Sequence, residues 1–153
     1  MRACSYPIVD LLPHKPPMVL LDRVLAWDDG ALEAEVEIRL GIPFYRESFG
    51  VPAHIGIEYM AQACGAYVGL EAKTTSQPVR LGFLLGTRHY RATVAYFRDG
   101  ERLSIHIQQI LREMEIGVFD CRITAAGEEL ATARLNLYQP ADAAAALIRK
   151  AQA

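Results

Sequence analysis

The chain has 153 residues, 52% hydrophobic and 22% charged, with a net charge of -2 at neutral pH. One compact domain with a true apolar core is the expectation, and intrinsic disorder is excluded. The near-balanced charge argues against nucleic acid or an anionic membrane as the main partner, and no apolar run reaches the roughly 18 residues that a bilayer span needs.

The opening "MRACSYPIVDLLPH" lacks the charged-then-apolar order and the cleavage site of a signal peptide. The cysteines, Cys4, Cys64 and Cys121, are too few and too scattered for a disulfide framework or a zinc site. Cys64 reads as a buried apolar thiol, and the reducing cytoplasm is the expected compartment.

The first segment, "YPIVDLLPHKPP", ends in prolines that stop any helix. "MVLLDRVLAW" follows as a strand, then the turn "DDG", then "ALEAEVEIRL". That second run alternates, with Leu32, Ala34, Val36 and Ile38 on one side and Glu33, Glu35, Glu37 and Arg39 on the other. A half-exposed strand entered through a hairpin fits this pattern. "GIPFYRESFGVPA" is loop by its Gly and Pro content, and a helix is predicted over 54–72, with small residues at Ala61, Ala63, Gly65, Ala66 and Gly69.

After "KTTSQPV" come four more predicted strands: "RLGFLLGTRHYRATV", "RLSIHIQQILRE", "GVFDCRITAA" and "LATARLNLYQ". The tail "PADAAAALIRKAQA" carries Pro at a first helical position, so a short terminal helix is predicted. One long helix cannot cover two sheet faces, but it can lie across one face of a curved antiparallel sheet, an α+β arrangement over residues 1–153. Gly65, Gly69 and the alanines are expected to let the helix approach the sheet closely. An open sheet edge invites pairing with a second copy, so a homodimer is expected.

Three stretches now fall into register with a known family. "LLPHKPPMVLLDRV" is similar to an opening Leu-Pro-His followed by a strand ending Asp-Arg-Val. "PAHIGIEYMAQACG" is similar to Pro-Gly, then Glu-Ala-Met-Ala-Gln, then glycine. With "GFLLGTRHYR", "GERLSIHIQQI", "GVFDCRI" and "GEELATARLNLYQP", the chain resembles the hotdog-fold β-hydroxyacyl-ACP dehydratases, and most of all a small dehydratase-like subgroup of aryl-polyene biosynthesis clusters. The resemblance implies a long helix wrapped by an antiparallel sheet, subunits joined edge to edge, and active sites at their seam. It also implies an acyl chain carried as a thioester on the phosphopantetheine arm of acyl carrier protein, with no metal or nucleotide cofactor.

Dehydration of such a thioester needs a base for the proton on the carbon next to the carbonyl and an acid for the departing hydroxyl. Backbone amides at a helix N-terminus suit the developing charge on the thioester oxygen. The resemblance assigns the acid to Glu58, where partial burial would favour the protonated donor. On residues alone Glu58 reads equally as a helix-start acid or part of a capping arrangement. Gln62, at i+4, shares its face and either orients that carboxyl or substrate, or meets backbone polar groups of the sheet.

The family's loop histidine, the base, would fall near Phe44 and Tyr45, and no histidine stands there. Both aromatics are expected to border substrate, with Tyr45 a hydroxyl donor or simply a packing aromatic. His54 is the candidate base: four residues before Glu58, it can share its face, or it can be an exposed or capping histidine. His14 reads as structural, holding the N-terminal turn, and His89 and His106 as strand positions, the latter facing outward. The resemblance implies that the strand with Leu85 and Gly86 follows the acyl channel, Gly86 allowing close approach or forming a bulge. Arg80, Arg88 and Arg91 are either a basic rim for the acidic carrier or solvated strand residues. Three functions remain in view: a 3-hydroxyacyl-ACP dehydratase, a non-catalytic or half-site subunit pairing with a His-bearing hotdog partner, and an acyl thioesterase.

Overall fold

A computed structural model describes residues 1–76 and 83–139. In chain order the elements are β1 (Arg2–Ala3), a 3-10 turn (Ile8–Asp10), β2 (Arg23–Asp28), β3 (Ala31–Glu37), β4 (Val51–Pro52), a 3-10 turn (Ala53–Ile55) and α1 (Gly56–Thr74). Then follow β5 (Phe83–Ala92), β6 (Tyr96–Phe97), β7 (Arg102–Glu113), β8 (Ile116–Ala125) and β9 (Glu128–Tyr138). The predicted C-terminal helix lies outside the described residues.

A seven-stranded sheet runs β1-β2-β3-β7-β8-β9-β5, every pairing antiparallel. The alternation of β3 sets its faces. Leu32, Ile107, Cys121 and Ala133 form one cross-strand row, and Ala34, Ile105, Ile123 and Ala131 the next, all buried. Between them Glu33, His106, Arg122 and Thr132 form a row on the opposite face. α1 lies across the apolar rows, touching β2, β3, β5, β7, β8 and β9. Tyr67 ties the two layers: its ring meets Phe119 edge-on at 6.1 Å, and its hydroxyl accepts the Gly30 amide at 2.9 Å in the β2–β3 turn.

The strand predicted over 18–27 starts only at Arg23. Upstream, the backbone of Met18 and Leu20 bonds the Gln62 side chain instead of a neighbouring strand. The close approach of α1 also differs from expectation. A Cβ on Gly69 would lie 2.1 Å from the Leu11 carbonyl oxygen, so the glycine admits the N-terminal segment rather than the sheet. At Gly65 the nearest atom is Leu12 Cδ2, at 3.4 Å.

A two-stranded sheet of β4 and β6 fixes the entrance to α1. It requires Gly50, whose φ is +100° and where a Cβ would fall 2.0 Å from the Phe97 carbonyl oxygen. The Ala53 amide donates to Ala95 at 3.0 Å, and the Tyr90 hydroxyl donates to the Ala53 carbonyl. Burial pushes that hydroxyl up to about 12, so it remains a donor at neutral pH.

Candidate active site

α1 buries Tyr59, Met60, Ala63, Ala66, Tyr67 and Leu70 against the sheet. The 3.6-residue period leaves Glu58, Ala61, Gly65 and Val68 on a less buried stripe. That stripe is the floor of a cleft of about 310 Å³ running along the helix from Glu58 to Thr75. Leu84 of β5, Gly117 and Phe119 of β8 and Leu137 of β9 line its apolar middle. Small side chains on the helix leave width there, and Cys64 adds a buried thiol.

Glu58 stands in the first turn of α1, on the cleft lining. The burial expected of it is not found in the single chain: it is exposed, because its position on the helix turns it from the sheet. Among the described residues its side chain has no hydrogen bond or ion pair, and the helix N-cap, Ile55, has no side-chain cap, so a capping box is excluded. The Gly56 amide already bonds the Ala53 and His54 carbonyls. That amide is therefore not free for the oxyanion expected at the helix start.

Gln62 is the one buried polar side chain among the described residues, at 3% exposure. Its Oε1 accepts the Leu20 amide at 2.8 Å and its Nε2 donates to the Met18 carbonyl at 2.7 Å. It also lines the cleft. Of its two readings the backbone one is observed, although the backbone is that of the N-terminal segment.

Of the two readings of His54, the exposed one is found. His54 is exposed in the 3-10 turn and outside the cleft lining, and it makes no bond to Glu58. His14 lines the cleft with Glu58 and makes no side-chain hydrogen bond among the described residues. Gly65 and Gly69 receive Leu12 and Leu11, and this packing brings the residues just after Leu12 to the helix. His106 faces away from α1 as expected, but half-buried, and that burial lowers its pKa.

Phe44 and Tyr45 are not on the Glu58 cleft. Phe44 is 45% exposed with φ of 69°, and Tyr45 lines a separate hollow with Phe49, Tyr96 and Asp99. Partial burial and the neighbouring Asp99 carboxylate raise the Tyr45 phenol above its ordinary value, which makes its proton harder still to remove.

On β5 it is Leu84 that lines the cleft, where Leu85 was expected. The register with β9 slips between Leu84 and Gly86, leaving Leu85 as the extra residue of a bulge, 56% exposed. A Cβ on Gly86 would meet nothing within 4 Å, so no close approach within the chain requires the glycine, which stands beside the bulge. Arg88 and Arg91 are exposed on β5, the strand at the sheet edge, and Arg80 lies outside the described residues. At the far end of the cleft Arg112 Nη1 meets Glu71 Oε1 at 2.5 Å, a pair that no sequence motif marks. Among the described residues no three His, Cys, Asp or Glu side chains gather as a metal site, and no helix is long and apolar enough to cross a membrane.

Comparison with known proteins gives this geometry a context. Residues 6–148 match the ApeP-like family, described as ApeP dehydratase. A 3-hydroxyacyl-[acyl-carrier-protein] dehydratase FabZ from Shewanella sediminis is 28% identical over 135 residues, covering 84% of this chain and 86% of the relative. A chain of the dehydratase heterocomplex ApeI:P from Xenorhabdus doucetiae is 35% identical, with a TM-score of 0.85 over 90% of this chain and 93% of that one. The uncharacterized protein PH1136 from Pyrococcus horikoshii, 14% identical with a TM-score of 0.67 over 90% and 97%, shares the fold. The fold is the α+β hotdog fold.

Proposed function

The chain belongs to the ApeP-like dehydratase family, and on that premise we propose that it removes water from 3-hydroxyacyl thioesters carried on acyl carrier protein, giving 2-enoyl thioesters during fatty-acid or polyene chain elongation. The observation that carries this reading is a carboxylic acid, Glu58, on the lining of a narrow cleft whose middle is apolar. The FabZ relative acts on a carrier-bound hydroxyacyl group by its name, which supports the same substrate class here.

In this reading Glu58 protonates the hydroxyl on carbon 3 as a base removes the proton from carbon 2. The C–H and C–O bonds break, the double bond forms between the two carbons, and water leaves. His54 is the base suggested by spacing, and His14 the one that shares the cleft lining with Glu58. The carrier's phosphopantetheine arm is the only prosthetic group required. Exposed Arg88 and Arg91 suit the acidic carrier. The free thiols Cys4, Cys64 and Cys121 fit a reducing cytoplasm.

A second reading has an observation of its own. No histidine stands at Phe44 or Tyr45, and the similar ApeI:P structure is a dehydratase heterocomplex. This favours a chain that works beside a second hotdog subunit, which supplies the missing base. Purified chain, alone and mixed with a His-bearing hotdog dehydratase, is incubated with 3-hydroxyacyl carrier protein, and the products are followed by mass spectrometry. Enoyl product from the chain alone supports self-sufficiency, and product only in the mixture supports the shared site. Release of free acid, or no turnover in either, overturns the dehydratase proposal.

A further inference from the structure

The cleft is not uniform along its length. From Glu58 it runs past Ala61, Gly65 and Val68, and then meets charge: Glu71 on α1 and Arg112 on β7 both line it and pair with each other at 2.5 Å. Helix and sheet are therefore joined across the cleft at that level. From Glu58 to Glu71 the helix rises about 20 Å. Beyond the pair, among the described residues, the lining continues with Thr75 and Met114, both exposed.

We propose that the Glu71–Arg112 ion pair is a bar across the distal mouth of the cleft and sets the longest acyl chain the protein accepts. The inference rests on the reading of the cleft as the acyl-chain site. An apolar tail shorter than the bar gains by burial against Val68, Leu84, Phe119 and Leu137. A tail that reaches the bar must separate the paired charges or strip water from them, and an alkyl end returns no hydrogen bond for that loss. The bar limits chain length without being needed for the fold, because the side chains are 32% and 47% exposed and exposed ion pairs contribute little to stability.

The test uses the chain in its native assembly and a series of 3-hydroxyacyl-pantetheine thioesters of stepwise increasing length, with binding read by calorimetry and not by turnover. In the wild-type protein affinity climbs roughly fourfold per added methylene and then levels at a definite length. In Glu71→Ala and in Arg112→Ala the climb continues past that length, while shorter thioesters bind as before. Exchanging the charges, Glu71→Arg with Arg112→Glu, restores the break. A break at the same length in all four proteins overturns the bar and leaves the acyl reading standing. No binding at any length overturns both.

Discussion

Gln62, inside α1, accepts the backbone amide of Leu20 at 2.8 Å, and so the helix that carries Glu58 and the N-terminal segment are joined by a side chain with 3% exposure. The nitrogen of the same side chain donates to the Met18 carbonyl at 2.7 Å. Replacing Gln62 by Leu leaves a buried N–H and a carbonyl without partners, at a cost of about 3 kcal/mol. Urea unfolding should show a lower midpoint with an unchanged slope. A variant as stable as the wild type would mean that water or a repacked segment satisfies both groups.

Two glycines four residues apart on α1 should respond to alanine with opposite sign. At Gly69 the new Cβ meets Leu11 backbone at 2.1 Å, and helix and segment must separate. The overpacking exceeds the gain in helix propensity of about 1 kcal/mol, for a net loss of about 1–2 kcal/mol. At Gly65 the neighbour is the flexible end of Leu12 at 3.4 Å, so alanine there is neutral or stabilising by up to about 1 kcal/mol. Thermal unfolding of the two variants checks both signs.

His106 gives the fold a pH dependence of definite direction. Burial lowers its pKa, with Arg122 adding to the effect and Glu33 opposing it. The unfolded chain then binds the proton more readily than the native one, so this contribution is intact above about pH 6.5 and is lost as pH falls below it. Unfolding free energies measured through this range should decline more steeply for the wild type than for His106→Gln. Parallel curves would contradict the assignment.

Cys64 and Cys121 face each other at 3.8 Å across the helix–sheet layer, and burial first, then the neighbouring thiol, raise the Cys64 pKa well above its ordinary value. Thiolate is the reactive form. Brief treatment of the native protein with iodoacetate should therefore modify Cys4 and spare Cys64, as read by peptide mass spectrometry. Rapid alkylation of Cys64 would show that the cleft opens to it.

Much of the scaffold is legible in the sequence because it follows from local periodicity. The alternation of Leu32, Ala34, Val36 and Ile38 marks a strand and its buried face, and all four are at most 1% exposed. The strand predicted at 102–113 has those bounds in the structure. Relations set by distant residues are not legible in this way. Met18–Leu20 is apolar enough for a strand, and only the capture of its backbone by Gln62 makes it otherwise. Leu85 takes the place of Leu84 in the sequence reading because Gly86 marks a bulge without telling which leucine before it the slipped register turns outward. His14 reaches the cleft through the contacts of Leu11 and Leu12 with α1, a packing relation between segments far apart in the chain. The exposure of Glu58 has the same kind of origin, since which face of α1 the sheet covers is set by packing between segments far apart in the chain.

The most direct measurement is turnover of 3-hydroxyacyl carrier protein by Glu58→Gln in the assembly that supports wild-type activity. Because the carboxylate is exposed and unbonded among the described residues, the substitution should leave the unfolding free energy within about 0.5 kcal/mol of the wild type. Enoyl product should fall by about 10²–10⁴-fold, the contribution of a positioned acid. Undiminished turnover in a folded Glu58→Gln protein would contradict the role given to this carboxyl group.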